Sequence, residues 1–385
     1  MAWLTAGEAL AILEVQPQTL YANVSRGRIR AKPDPEDSRR SLYNKSDVMR
    51  AAERQTGRRS VATVAAQAIG WRGDPVLTTH LSAVEHGRHW YRGRDALTLA
   101  ETSSLEDIAA LLWESEAVTF TGAGTPPEGA MTALARRAER DQPSLRRPAA
   151  ALAREAAELV DLMAAATLGP TDPGPMHRRL AQAWDAPQAE DLLRRALVLM
   201  ADHELNSSTF AARVAASTGA PLSACLLAGL ATLSGPLHGG ASLGMRLLTA
   251  AAAQMGAEEA VRHWLAQGQR LPAFGHPLYP DGDPRATALL RLFEAAPIYA
   301  DLRGAVESQA GEKPNIDFAL AALADRFALP AKASFSLFAI ARSVGWIAHA
   351  LEQSASGKMI RPRARYSGPA LQPLGAAEPP IEREA

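Results

Sequence analysis

Gly235-Pro-Leu-His-Gly-Gly-Ala241 interrupts a chain that otherwise reads as a succession of helices. The paired glycines admit a tight turn, and the apolar-periodic stretch Leu243–Met255 follows at once, so His238 is expected near a helix N-terminus. Three further interruptions set a polar or ionisable residue beside Gly or Pro: Ala201-Asp-His-Glu-Leu-Asn206, Phe274-Gly-His276 with Asp283-Pro-Arg285, and Lys313-Pro-Asn-Ile-Asp317. A fifth, Arg361-Pro-Arg363, follows the apolar segment Ser334–Gln353, which carries Arg342. Apolar spacing predicts helices over Ser104–Trp113, Ala149–Ala166, Gln188–Leu205, Ser207–Thr218, Pro221–Leu233, Leu243–Met255, Pro284–Ala296, Asp317–Phe327 and Ser334–Gln353. From Val76 to about Tyr91 the pattern is mixed and is expected to hold short strands. Beyond residue 90 the chain reads as mainly α.

Composition narrows the classes. A chain of 385 residues suggests two or three domains, and 47% hydrophobic content supplies a large core. The 41 basic and 41 acidic residues cancel, which excludes a polycation built throughout for nucleic acid. The one cysteine, Cys225, has apolar neighbours and is expected as a packed thiol. Met1–Leu13 lacks the basic start of a secretory signal, and the apolar run Pro221–Leu233 is too short to span a bilayer. The expected location is cytoplasmic, with no membrane partner.

The first sixty residues differ from the rest, with 11 basic against 7 acidic side chains. Thr5 and Glu8 have capping-box spacing at the head of a helix over Ala6–Leu13. A second helix starts at Pro17 and runs to Gly27. Strands are expected over Arg28–Lys32 and Arg39–Tyr43, then a helix over Asp47–Gln55 capped by Ser46. This order resembles the small winged helix-turn-helix module of the MerR and excisionase type. The resemblance implies DNA contacts from Gln18, Thr19, Tyr21 and Asn23, with Arg26, Arg28, Arg39 and Arg40 on phosphates. A helical appendage that serves dimer contacts would read the same way. Residues 57–75 are expected as a linker.

Each chemistry-bearing residue has a plain structural explanation when taken singly. Asp317 stands where a helix begins and would serve as an N-cap. His238 and His276 would serve in turns, His203 as a hydrogen-bonded core histidine, and Arg285 on a surface first turn. Arg342 is harder to set aside. Phe335, Leu337, Phe338, Ile340, Val344, Trp346 and Ile347 surround it on one helix, so it should be buried and require an anionic partner. No acid follows in that helix until Glu352; a bound anion or an acid elsewhere in the fold would serve. His349 and Glu352 have a metal-ligand spacing, but two ligands do not make a site, and they are taken as structural.

Together and in this order, the segments resemble citrate synthases, from about Thr79 to Gly368. The resemblance includes Tyr91-Arg-Gly-Arg94, Pro314-Asn-Ile-Asp-Phe318, Arg342-Ser-Val-Gly-Trp-Ile-Ala-His349 and Arg361-Pro-Arg-Ala-Arg-Tyr-Ser-Gly368. It implies a two-domain helical fold preceded by the small module: residues 1–59, a large domain begun over 60–235, a small domain over 236–335, and the large domain completed over 336–385. It implies condensation of acetyl-CoA with oxaloacetate, in a homodimer or larger assembly, with no tightly bound cofactor and no metal. Asp317 would be the base, His238 the donor to the thioester oxygen and His276 the polariser of the keto oxygen. His203, Arg285, Arg342 and Arg361 would hold carboxylates, with Arg361 reaching the partner subunit's site.

The chain departs from the family on the CoA side. Pro277 and Pro280 stand where family members commonly carry basic residues, and Ser242-Leu243 replaces the usual Asn-Glu. Arg246, Arg270 or Lys313 would then grip CoA. Propionyl-CoA, giving 2-methylcitrate, is the nearest competing substrate, since one methylene needs a small change of pocket. Cleavage of citryl-CoA, or a DNA-binding regulator that senses citrate or a CoA ester, are the other readings.

Overall fold

The structure is a computed structural model and describes residues 3–13, 17–25, 29–34, 37, 41–49, 77–122, 128–362, 366 and 368–369. The chain divides into two units, residues 1–76 with 361–385, and residues 77–360.

In the first unit, strand β1 (Trp3–Leu4) leads into α1 (Ala6–Leu13) and α2 (Pro17–Ser25), followed by β2 (Ala31–Pro33) and β3 (Ser41–Asn44). The expected capping box is formed: Thr5 N–H donates to Glu8 Oε2 at 2.8 Å and Glu8 N–H to Thr5 Oγ1 at 3.4 Å. The sheet is antiparallel with β3 central, so Trp3 faces Asn44 and Lys32 faces Leu42. Ala9, Leu13, Leu20, Ile29, Tyr43 and Val48 form its core. The helical residues 45–49 are capped by Asn44, not Ser46. Asn44 Oδ1 accepts both Asp47 N–H at 3.3 Å and the Ser46 hydroxyl at 2.7 Å. Of the expected DNA contacts, Tyr21 is exposed and Asn23 half-buried on α2. Arg26, Arg28, Arg39, Arg40, the side chains of Gln18 and Thr19, residues 50–55 and the expected linker lie outside the described residues.

The second unit opens with an antiparallel meander, β4 (Ser82–Glu85), β5 (Arg88–Tyr91) and β6 (Arg94–Asp95). Its first turn is His86-Gly87, both at positive φ, as tight hairpin turns require. The helices are α3 (Ala96–Thr102), α4 (Leu105–Trp113), α5 (Ala130–Ala138), α6 (Ala149–Leu168), α7 (Met176–Ala183), α8 (Glu190–Met200), α9 (Ser207–Ser217) and α10 (Leu222–Leu233). Then come α11 (Ala241–Met255), α12 (Ala257–Ala266), α13 (Pro284–Leu290), α14 (Pro297–Ala310), α15 (Ile316–Arg326) and α16 (Ala333–Ser356). Five of these, α3, α5, α7, α12 and α14, were not expected from apolar spacing. Four of them are ten residues or shorter, and their ends are marked by Asp95, Gly or Pro.

Two expected helices end early, the first at a turn that carries site residues. α8 stops at Met200, because residues 201–206 turn with Glu204 at φ 51°, and α13 stops at Leu290. The long helix α16 is apolar almost all round and packs against α4, α6, α8, α9, α10 and α15. It is long and apolar enough to cross a bilayer, but its apolar window is 78% buried within the fold, which is the mark of a core helix. The buried apolar side chains of this unit form a large cluster from Leu81 to Ala350 and a smaller one from Met245 to Ala322, to which α11, α12 and α14 contribute.

Candidate active site

The start of α15 carries Asp317, and five hydrogen bonds fasten it and the turn before it. Gly275 N–H donates to Lys313 O at 2.8 Å and Asn315 N–H to Ala273 O at 3.0 Å, tying the Phe274-Gly-His276 loop to this turn. Asn315, not Asp317, is the N-cap: its Oδ1 accepts Asp317 N–H at 3.0 Å, and its Nδ2 donates to Gly275 O at 3.0 Å. Asp283 Oδ2 accepts Ile316 N–H at 3.0 Å. The Asp317 side chain is thereby released from capping. Lost hydration pushes its carboxyl up to about 6, against a weaker opposing pull from Arg285.

His238 lies two residues before Gly240, the N-cap of α11, in a turn closed by His238 N–H to Gly235 O at 3.0 Å and Gly239 N–H to Leu233 O at 2.8 Å. Both glycines are required: a Cβ on Gly239 would collide with Leu233 O, and one on Gly240 would reach Pro236 O at 2.5 Å. His238 Nε2 is 2.9 Å from Ser208 Oγ. Trp346 Nε1–H donates to the same oxygen at 3.1 Å. Asn206 Oδ1 already accepts the Ser208 and Thr209 N–H groups, both at 3.1 Å, as the cap of α9. The Ser208 hydroxyl also donates to Asn206 Oδ1 at 2.7 Å, so its oxygen is the shared meeting point of Trp346 Nε1 and His238 Nε2. Burial, helped by Arg342, holds this ring down to about 4, so it is neutral at pH 7.

His276, His203 and His89 form a row of edge-on rings, with centroids 5.0 Å and 5.1 Å apart. His276 Nδ1 accepts Leu278 N–H at 3.2 Å, so its proton sits on Nε2. Burial and Arg285 hold it down to about 4. His203 Nε2 is 3.0 Å from Tyr279 Oη, and burial beside Arg285 drives its pKa well below the usual value. Arg285 is buried, not a surface residue. It grips Asp283 in a fork, Nε to Oδ1 at 3.0 Å and Nη2 to Oδ2 at 2.8 Å, beneath the Tyr279 ring.

Arg342 is 2% exposed. Its Nε donates to Met200 O at 2.9 Å and its guanidinium lies 4.7 Å from the Phe338 ring. Among the described residues no carboxylate stands within ion-pair distance of its fork, and burial lowers its pKa to about 10. Of the two partners expected for it, an acid or a bound anion, the described residues supply no acid. The Arg342 charge bears on Asp317, His238, His276 and His203 alike.

Arg361 is exposed and belongs to the first unit. Arg246, Arg270 and Lys313 are exposed, as are Pro277 and Pro280. His349 and Glu352 are engaged with Asp202 and Arg213, and among the described residues no three potential ligands gather to hold a metal. Cys225 is buried, and burial pushes its thiol up to about 12.

Sequence reasoning did not single out Tyr279, Asp202 or His89. His89 is fully buried with neither ring nitrogen hydrogen-bonded, and burial lowers it to about 3. The two-residue alternation of β5, which buries His89 with Tyr91, was the available signal.

The family model for the citrate synthase C-terminal domain matches residues 125–363. The chain belongs to the citrate synthase family. Citrate synthase 2 of Bacillus subtilis is 36% identical over 214 residues, which is 52% of this chain and 56% of the relative. Citrate synthase of Haloferax volcanii is 41% identical over 185 residues, 45% of this chain and 49% of that one. The 2-methylcitrate synthase of Shewanella oneidensis is 35% identical over 183 residues, again 45% and 49%. The chain thus matches about half the length of these curated relatives. In three dimensions the likeness extends further. The crystal structure of citrate synthase from Thermotoga maritima superposes with a TM-score of 0.68 at 26% identity, covering 82% of this chain and 99% of that one. The Thermoplasma acidophilum enzyme, in a ternary complex with carboxymethyl coenzyme A and oxaloacetate, gives 0.65 at 24% identity, covering 78% and 96%, and shows the shared fold. The second unit therefore has the mainly helical citrate-synthase fold.

Proposed function

We propose that the chain condenses acetyl-CoA with oxaloacetate to give citrate and CoA. The observation that carries this reading is a carboxylic acid raised to about 6 and two imidazoles kept neutral, each feeling the charge of Arg342, whose fork meets no carboxylate among the described residues. Asp317 removes the α-proton of the thioester, and a base poised near 6 is ionised at pH 7 while still basic enough to take it. His238 donates a ring N–H to the thioester oxygen as the enolate forms, and a neutral donor does so without becoming charged. His276 donates from Nε2 to the keto oxygen and makes that carbon electrophilic. The enolate carbon then bonds to the keto carbon, the keto oxygen takes up a proton, and water hydrolyses the resulting citryl thioester to citrate and CoA.

Arg342 offers its free fork to one carboxylate, where two parallel N–H donors match two oxygens. His203, Arg285 and Arg361 are the further carboxylate contacts, Arg361 acting in the partner subunit of a homodimer. With Pro277 and Pro280 in place of the usual basic residues, CoA phosphates fall to the exposed cations Arg246, Arg270 and Lys313. Propionyl-CoA is the second reading, favoured by the 2-methylcitrate synthase among the relatives. No observation on the described residues favours the DNA-binding regulator.

The test is release of free thiol when the purified chain meets oxaloacetate and either acetyl-CoA or propionyl-CoA. The faster thioester assigns the acyl group, and Asp317→Ala should abolish release with both. Turnover undiminished in that variant would defeat the assignment.

A further inference from the structure

Helix α16 presents three residues, one turn apart, to the backbone at 200–202. Arg342 Nε donates to Met200 O at 2.9 Å, Gly345 N–H donates to Ala201 O at 3.0 Å, and His349 Nε2 lies 3.3 Å from Asp202 Oδ1 and 3.4 Å from Oδ2. Gly345 lets the Asp202 carboxylate lie against the helix, since a Cβ there would collide with both Ala201 O and Asp202 Oδ1. The carboxylate thus rests with a guanidinium one turn before it and an imidazole one turn after.

Asp202 is fully buried, and its Oδ1 accepts no hydrogen bond. Arg342 is equally buried, with no acid on its fork. Each of these charges feels the other, and opposite charges in a low-dielectric interior attract strongly, so leaving them apart requires a restraint. Oδ2 is held by the Ser82 hydroxyl and by Glu204 N–H at 3.2 Å. His349 supplies the remaining hold, and its own orientation is locked. Arg213 Nη1 stands 3.1 Å from His349 Nδ1 and can only donate, so that nitrogen accepts and the proton faces Asp202 from Nε2. Arg213 is braced by Glu352 Oε2 at 2.6 Å and Gln353 Oε1 at 3.0 Å, and Glu352 accepts His80 N–H at 2.7 Å. None of His349, Arg213, Glu352 or His80 takes part in the condensation proposed above.

We propose that His349 is a positioning residue for the oxo-acid pocket: it keeps the Asp202 carboxylate off the Arg342 fork, so that the fork stays open to a substrate carboxylate. The inference rests on the reading of a 2-oxo dicarboxylate as substrate. Without the imidazole, Asp202 swings onto Arg342 and competes as an internal carboxylate.

The experiment titrates oxaloacetate into the full-length wild-type chain and its variants by calorimetry. His349→Asn keeps an acceptor for Arg213 but falls short of Asp202, and its oxaloacetate Kd should rise roughly a hundredfold or more, the scale of a substrate carboxylate losing its buried partner. His349→Gln, whose amide N–H reaches the place of Nε2, should bind as the wild type does. Adding Asp202→Asn to His349→Asn should restore affinity, because a neutral amide cannot neutralise the guanidinium; a merely structural loss would not be rescued by a second core substitution. Unchanged affinity in His349→Asn, or no rescue in the double variant, would overturn the proposal. Should His349→Asn not fold, Asp202→Asn alone asks the same question: affinity holds or rises if the proposal is right, and a fall overturns it. A wild-type chain that does not bind oxaloacetate would instead sink the functional reading, and this inference with it.

Discussion

Replacing Asp317 with asparagine should stabilise the protein while destroying its chemistry. The carboxyl is raised from 3.8 to about 6, chiefly by lost hydration. Each pKa unit is worth about 1.4 kcal/mol, so keeping this group ionised in the folded state at pH 7 costs about 3 kcal/mol. The sign follows from proton binding. Between pH 4 and pH 6 the folded chain holds a proton that the unfolded chain has lost, so stability falls as pH rises through that window and stays low above it. Asparagine has the same shape and no charge, and removes the penalty. For a unit of nearly 300 residues, about 3 kcal/mol corresponds to a gain of roughly 5 °C in melting temperature. Thermal melts of wild type and Asp317→Asn at pH 7.5 and pH 4 read this directly. A clear gain should appear at pH 7.5 and shrink toward zero at pH 4, where the wild-type carboxyl is already protonated. A variant no more stable than wild type at pH 7.5 would refute the reasoning, because the carboxylate would then be hydrated or paired rather than held in strain for use.

Two further outcomes are expected. Thiol release should show a single acidic limb near pH 6, falling to about a tenth of its plateau by pH 5, since Asp317 must be ionised while His238 and His276, both near 4, remain neutral throughout; a limb near pH 4 would remove Asp317 from the role of base. Gly239→Ala forces the turn away from Leu233 O and from Phe335 Cε2 at 2.9 Å, and should cost at least about tenfold in kcat through displacement of His238, with oxaloacetate affinity little changed. Steady-state kinetics and calorimetry check the pair, and an unaltered kcat would show that the turn tolerates the methyl.

Much of the fold was legible because long helices advertise themselves. Ser104 and Asp107 close their box at the head of α4, with Ser104 N–H to Asp107 Oδ2 at 2.8 Å, and the apolar density of α16 foretold its burial. The short helices α3, α5, α7, α12 and α14 were not legible. Helices α5, α7 and α12 do carry an apolar stripe, but it runs for only two or three turns, and so short a helix is stabilised mainly by what it packs against.

The sequence by itself determined which residues stand at the turns, the glycines that admit them, and the family to which six ordered segments point. Tertiary structure alone decided how those residues are used. It paired Arg285 with Asp283 but left the Arg342 fork open, handed the cap of α15 to Asn315 so that Asp317 was spared, and raised that carboxyl by stripping away its water. It also set His349 between Asp202 and Arg213, residues far apart along the chain. The physical reason is that capping, turning and periodicity depend on neighbours a few residues away, whereas charge pairing, tautomer and pKa depend on groups that meet only when distant segments pack together.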